Sequence, residues 1–215
     1  MNRFPALCVD NFYQRPDEVV NFAKQQSFKK SKYGNFPGKR TLAIHTLNKN
    51  IFNYTCAKLF SMFYDFDKEN LDWNVVTNFD LIEQDIKEDG LGWIHQDDNK
   101  FILAGLIYLN KDWQNSAGTS LYHKVNNYDD QLSSFKKDYF LGTINRNDYL
   151  KAKDKHNSSF VETASFKPVY NRMICFDSSS FHSIGDINNL KTDRLVQVFF
   201  VESLKTFKYP MERIC

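Results

Sequence analysis

Cysteine is scarce and unpatterned in this chain of 215 residues: Cys8, Cys56, Cys175 and Cys215 form no C-x-x-C and no paired spacing. That argues against a disulfide framework and a cysteine-based structural zinc, and fits the reduced thiols of an intracellular protein. Glycine (8) and proline (5) are also few, and there is no internal repeat, low-complexity tract or interdomain linker. No apolar run approaches the ~18 residues that a membrane-spanning helix needs. The apolar stretch within residues 1–10 is too short for a signal peptide. An excess of one charge is missing too: 28 Lys and Arg face 26 Asp and Glu, a formal charge of +2, which points to neither a nucleic-acid binder nor a strongly acidic partner. The expectation is a soluble cytoplasmic protein with no membrane partner.

Aromatic residues are plentiful, with 20 Phe and 11 Tyr in a sequence that is 42% hydrophobic. They predict a sizeable, β-rich core. Residues 6–9 predict a short strand. Pro16 followed by Asp17 and Glu18 predicts a helix with Val19, Val20, Phe22 and Ala23 on its apolar face. Residues 28–40 interleave Lys29, Lys30, Lys32, Lys39 and Arg40 with Phe28, Tyr33 and Phe36 around a Pro37-Gly38 turn. This loop reads as solvated surface, with a polyanion or nucleic-acid strand as the alternative reading. Asn50 is the expected cap of a second helix, in which Phe52, Cys56, Leu59, Phe60 and Phe63 share a face that packs on a sheet.

From Asp72 to Ile86, polar residues alternate with β-branched and aromatic ones, which predicts a strand, and 88–92 predicts a turn. Further strands are expected at 101–109, 117–122, 159–166, 172–176 and 194–201. The polar segment 123–158 sketches helical faces at 132–139 and 147–155; its length between strands suggests a lid or recognition insert. Strands in succession, with no helix between 159 and 201, predict a sandwich or jelly roll instead of a parallel βαβ sheet. The organisation read from this is one domain over 1–215. Residues 1–70 supply a strand and support helices, and 72–202 supply the core with its insert.

The chemistry centres on Trp93-Ile94-His95-Gln96-Asp97-Asp98. On an extended backbone, His-x-Asp turns an imidazole and a carboxylate to the same side. Asp98 then faces away and is not a ligand. His182, in Ser180-Phe181-His182-Ser183, is the best candidate for a third ligand. Two imidazoles and one carboxylate with open positions suit Fe(II). His45, His123 and His156 have no partners at metal-ligand spacing and read as loop histidines. Arg172 reads as the start of a strand with a structural ion pair.

Around this group the chain runs Tyr108-Leu-Asn-Lys-Asp-Trp113, then Gly118-Thr119, then Asn171-Arg-Met-Ile-Cys-Phe176, then Phe181-His182, then Arg194 before Leu-Val-Gln-Val-Phe-Phe. In that order the sequence resembles the Fe(II)- and 2-oxoglutarate-dependent dioxygenases, in particular their prolyl-hydroxylase-like branch. The resemblance covers residues 76–202 and extends loosely to the N-terminal Asp10-Asn-Phe-Tyr region.

That resemblance implies a mainly β fold with flanking helices around a double-stranded β-helix, a jelly roll of cupin-like type. It implies Fe(II) on His95, Asp97 and His182, and Arg194 gripping the distal carboxylate of 2-oxoglutarate through its fixed fork. Tyr108 is implied to donate its hydroxyl to the same carboxylate; Gln84, from its place on the strand before the motif, is expected to face the cosubstrate. The implied reaction hydroxylates a C–H bond, consumes O2 and 2-oxoglutarate and releases succinate and CO2, with ascorbate supportive. Thr119 and Ser120 either line the pocket mouth or pair across the sheet. Ala117 stands where the family has a second glycine, a departure that matters if the position requires positive φ. The substrate is a peptide or a small molecule, peptidyl proline being favoured by the branch; nucleic acid ranks lowest. Two alternatives stand beside this reading: a cupin-type metalloenzyme that does not use 2-oxoglutarate, and a non-catalytic jelly-roll binding module.

Overall fold

The computed structural model describes residues 5–30, 36–84, 92–112, 117–125, 133–188, 190–206 and 208–211. Expectations that rest on Lys32, Tyr33, the 88–91 turn, Trp113, Leu132 and Cys215 lie outside the described residues. In chain order the elements are β1 (Leu7–Val9), α1 (Pro16–Lys24), β2 (Lys29–Lys30), β3 (Lys39–Arg40), α2 (Ile44–Leu47), α3 (Lys49–Phe60), β4 (Asp72–Ile82), β5 (Leu103–Tyr108) and β6 (Thr119–Lys124). These are followed by α4 (Ser133–Phe140), α5 (Arg146–Asn157), β7 (Phe160–Phe166), β8 (Met173–Asp177), β9 (Phe181–Ile184) and β10 (Arg194–Lys205). A larger sheet has the order β1-β8-β5-β10-β4-β3-β2 and a smaller one the order β7-β6-β9, with antiparallel pairing throughout. This is a double-stranded β-helix, a jelly roll flanked by helices.

Strand alternation sorts the larger sheet into two buried faces. Leu103, Ile107, Met173, Cys175, Leu195, Phe199 and Val201 face out and pack with Val19, Val20 and Ala23 of α1 and with Cys56, Leu59 and Phe60 of α3. Ala104, Tyr108, Ile174, Phe176 and Val196 face in and pack with Leu121 of β6. A strand buried on both sides reads as a continuous apolar run, which is why 103–108 lacks clean alternation in the sequence. Gly105 is needed at the centre: a Cβ there would lie 2.2 Å from the Ile174 carbonyl oxygen and 2.4 Å from the Phe199 ring.

The helices form for local reasons. α1 has Pro16 in its first turn beside Asp17 and Glu18, and Lys24 in its last, matching the helix dipole. α3 is capped by Asn48, not Asn50: the Asn48 carboxamide oxygen accepts from the backbone N–H groups of Asn50 and Ile51 at 3.0 and 3.1 Å. Asn48 has the extended backbone a cap requires, whereas Asn50 is already inside the helix. Three short elements, β2, β3 and β9, and the single-turn α2 escaped the sequence reading, being too short to show a period. No helix among the described residues is long and apolar enough to cross a membrane.

Asn171 joins the N-terminal segment to the end of β5. It adopts φ 61°. Its side chain accepts from Tyr13 N–H and donates to the Tyr13 carbonyl, both at 2.8 Å, and its backbone N–H donates to the Tyr108 carbonyl at 2.8 Å. Asn171→Gly should lose about 1–3 kcal/mol with the two side-chain bonds. Asn171→Ala should lose a further ~1–2 kcal/mol, because alanine pays for the left-handed backbone. Urea unfolding of the two variants checks both the losses and their order.

Candidate metal centre

His95 sits on a short extended segment alongside β9. Its N–H donates to the His182 carbonyl at 3.0 Å and its carbonyl accepts from His182 N–H at 2.8 Å. The two rings meet with centroids 4.5 Å apart. Asp97, two residues on, turns its carboxylate to the same side, and its Oδ2 lies 3.6 Å from His182 Nε2. Among the described residues, His95, Asp97 and His182 form one group whose ligand atoms all lie within 4.8 Å of one another. Asp98 faces away, is exposed, and accepts from Lys100 N–H.

The imidazole tautomers follow from the partners. His95 Nδ1 lies 2.8 Å from the Trp93 carbonyl and His182 Nδ1 lies 2.9 Å from the Ser180 carbonyl. A carbonyl only accepts, so each Nδ1 carries the proton and each Nε2 keeps its lone pair. Burial lowers the pKa of both histidines, His95 well below its ordinary 6.5, so they stand neutral. Burial also raises the pKa of Asp97, against the opposing pull of the His182 position, Lys136 and Arg40. Asp97 Oδ2 is buried with no hydrogen-bond partner. Two free imidazole lone pairs and an orphaned carboxylate oxygen, with no thiolate among them, fit a divalent first-row ion of the iron type.

A second polar group lies deeper between the sheets. Arg194, the first residue of β10, is 3% exposed. Its Nε donates to the Ala117 carbonyl at 2.9 Å, and its guanidinium carbon lies 5.7 Å from the Tyr108 ring centroid. Among the described residues no carboxylate forms an ion pair with it. Desolvation lowers its pKa, with Tyr108 and Asp80 acting the other way. The Tyr108 hydroxyl donates to Thr119 Oγ1 at 2.8 Å, so Thr119 joins this group. Ser120 instead pairs across the sheet with Ser165 at 3.0 Å. Ala117 does not have positive φ, so the missing glycine costs no backbone strain. The two groups share the intersheet space, with Phe176 touching the His182 ring at 4.8 Å and packing in the cluster that contains Tyr108.

Gln84 is not brought to this space. It lies beyond the end of β4, is exposed, and its backbone N–H donates to Asp193. It lines a cleft with α1, Leu81 and Leu195 on the outer side of the larger sheet, whereas Arg194 and Tyr108 face inward. Arg172 makes a structural pair with Asp10, at 2.6 and 2.9 Å.

Two features escaped the sequence reading. Arg40, taken as part of a basic surface loop, forks onto Asp80 with both bonds at 2.7 Å, and Asp80 is 2% exposed. The signal was present: Asp80 sits at an inward position of an alternating strand, where a carboxylate requires a partner. His45 and His123 are exposed residues of α2 and β6, but His156 is no loop histidine. It is buried in α5, on one face with Tyr149, Ala152 and Lys153, and its ring meets that of Trp93 at a tilt, with centroids 4.5 Å apart. The same helical pair carries Lys136, whose charge bears on all three residues of the metal group.

The fold matches solved structures of enzymes that include 2-oxoglutarate-dependent ones. HygX from Streptomyces hygroscopicus, solved with nickel and 2-oxoglutarate bound, is 9% identical at a TM-score of 0.56, covering 97% of this chain and 85% of its own. The non-heme alpha-ketoglutarate-dependent epimerase SnoN of nogalamycin biosynthesis is 12% identical at a TM-score of 0.57, covering 93% and 78%. A prolyl hydroxylase from Trichoplax adhaerens, in complex with a hypoxia inducible factor oxygen degradation domain peptide fragment, is 12% identical at 0.55, covering 92% and 83%. These likenesses establish the double-stranded β-helix. By sequence, the chain belongs to the family of unknown function DUF6445, whose model matches residues 1–194. No curated protein matches it significantly.

The depressed histidines predict a pH dependence for the metal-free protein. Below pH 6.5 the unfolded chain takes up protons at His95, His156 and His182 that the folded protein refuses, so stability falls as pH falls. Replacing His95 and His182 with Gln should flatten that fall. Urea unfolding of both proteins between pH ~7.5 and ~5 measures it; parallel curves would show that the two imidazoles are not desolvated.

Proposed function

We propose that the protein is an Fe(II)- and 2-oxoglutarate-dependent oxygenase that hydroxylates a C–H bond of a peptide or small-molecule substrate. The observation that carries this reading is the pairing of two unmet demands in one space. Among the described residues, the buried Arg194 fork has the Ala117 carbonyl and the Tyr108 side chain as partners and no carboxylate, and the His95-Asp97-His182 group holds an orphaned carboxylate oxygen. A dicarboxylate that also reaches the metal answers both. A buried guanidinium without an anion is costly, and a cosubstrate carboxylate offsets that cost.

In this reading His95, Asp97 and His182 are the residues that would hold Fe(II), a donor set of two imidazoles and a carboxylate that suits it. When bound, the iron with O2 and 2-oxoglutarate supplies the oxidising power for C–H cleavage, with succinate and CO2 released. The chain's own residues position and exclude. The Nδ1–H bonds to Trp93 and Ser180 fix the two imidazole planes. Ala117 holds Arg194 by Nε, leaving the terminal N–H groups to take the distal carboxylate. Tyr108 and Thr119 supply hydroxyls beside it. Phe176, Leu121 and Val196 keep the space between the groups dry, which strengthens each charge interaction within it. The reported peptide complex of the Trichoplax enzyme supports a peptide among the candidate substrates, and SnoN supports a small metabolite.

Succinate formation from 2-oxoglutarate with Fe(II), O2 and ascorbate, without a prime substrate, tests the reading. Wild type should turn over slowly and His182→Ala should be silent. Arg194→Met, which keeps bulk and removes the fork, should need roughly 10–100-fold more 2-oxoglutarate, the worth of hydrogen bonds to a charged group. Metal-dependent chemistry indifferent to Arg194→Met would favour the cupin-type enzyme. Absence of both turnover and the anaerobic Fe(II)–2-oxoglutarate visible band would leave the binding module.

A further inference from the structure

The segment that carries His95 is an edge. On one side its backbone bonds to β9, through Gly92 N–H to the Ile184 carbonyl at 3.1 Å and the His95–His182 bridge. On the other side, where a neighbouring strand would lie, three backbone groups point away from the sheet: the Gly92 carbonyl, Ile94 N–H and the Ile94 carbonyl. Trp93 and Ile94 are buried, so these groups need partners. All three are met by two consecutive side chains at the C-terminal end of α5. Asn157 Oδ1 accepts from Ile94 N–H at 3.1 Å and its Nδ2 donates to the Gly92 carbonyl at 3.0 Å. His156 Nε2 lies 2.6 Å from the Ile94 carbonyl, which makes that nitrogen the donor.

The rest of the α4–α5 pair is built to hold this grip. Tyr149 stacks on Trp93 at 5.9 Å and on Tyr139 at 4.1 Å, and Phe135 and Leu150 pack into the same cluster. Phe160 bridges His156 to Phe181, at 5.2 and 4.7 Å, so both ligand-bearing segments touch one aromatic chain. The base of the insert is closed by Val125 N–H donating to the Ser159 carbonyl at 2.8 Å. A segment bonded on one edge alone is free to twist about that edge, and the His95 ring would move with it.

We propose that His156 and Asn157 are positioning residues of the metal centre: their side chains replace a missing strand and fix the backbone that carries His95. The inference rests on the reading of His95, Asp97 and His182 as metal ligands. It turns the insert from a lid over the site into a part of its frame.

Anaerobic titration with Co(II), followed by visible absorbance, tests it without turnover. His156→Phe keeps the ring and removes the donor; Asn157→Ala removes both bonds. Each should weaken Co(II) binding about 10–100-fold, as loss of a group that orients a ligand does. His156→Gln keeps a donor at similar reach and should bind within a few-fold of wild type. Tyr139→Ala loosens the same helices through its stack on Tyr149 and leaves the His156 and Asn157 bonds to residues 92 and 94 in place; it should lower the melting temperature and keep wild-type affinity. Folded His156→Phe and Asn157→Ala with wild-type affinity, or Tyr139→Ala as weak as they are, would overturn the proposal. Should His156→Phe fail to fold, Asn157→Asp carries the same test, keeping the acceptor for Ile94 and losing the donor to Gly92. Wild type that binds no Co(II), or binds it equally after His182→Ala, would instead overturn the metal-site reading itself.

Discussion

One antiparallel bridge, between the backbones of His95 and His182, sets the distance between two imidazoles that come from remote parts of the chain. Because the residues are directly opposed, their side chains leave the same face of the sheet. Asp97 joins them through the two-residue period of its own extended segment. Each imidazole is then locked by a bond to the carbonyl two residues before it. The site is therefore made by backbone geometry first and by side-chain chemistry second. Everything else in the fold can be seen as holding that bridge in register.

The larger sheet does this by being buried on both faces. Its outer face is sealed by α1 and α3, which leaves the inner face to be lined by groups that would be intolerable elsewhere in a core. Asp80 is neutralised by the Arg40 fork, while Arg194 keeps its charge against burial with one carbonyl and the neighbouring Tyr108 ring. Two cations and two carboxylates thus lie on the inner side, one pair closed on itself and the other two, among the described residues, forming no such pair. That asymmetry sets the closed Arg40–Asp80 pair, whose arginine still reaches solvent, apart from the more deeply buried Arg194.

Much of this could be read in the chain. His95-x-Asp97 was legible because strand periodicity makes facing a matter of counting, Arg194 was marked by the family resemblance, and the strand texture from Asp72 onward identified the class of fold. The β4 and β7 strands and the faces of α1 and α3 follow from period alone. Gln84 shows where counting stops: the period that would aim it inward ends with β4 at Ile82, and beyond the strand the chain turns to the outer cleft. Asn50 shows a smaller version of the same limit, since a helix start displaced by two residues moves the cap to Asn48.

The sequence by itself determined the local chemistry: which residues alternate, which can cap or turn, and which carry lone pairs and charge. Those properties are encoded within a few residues of each side chain and need no long-range information. Only the tertiary structure decided that Arg40 serves Asp80, that Arg194 is buried against Ala117 and Tyr108, and that His156 and Asn157 grip the backbone beside His95. Each of these joins groups distant in the chain, and their meeting depends on sheet order and on where a polar insert packs. No period or spacing in a linear chain records that packing.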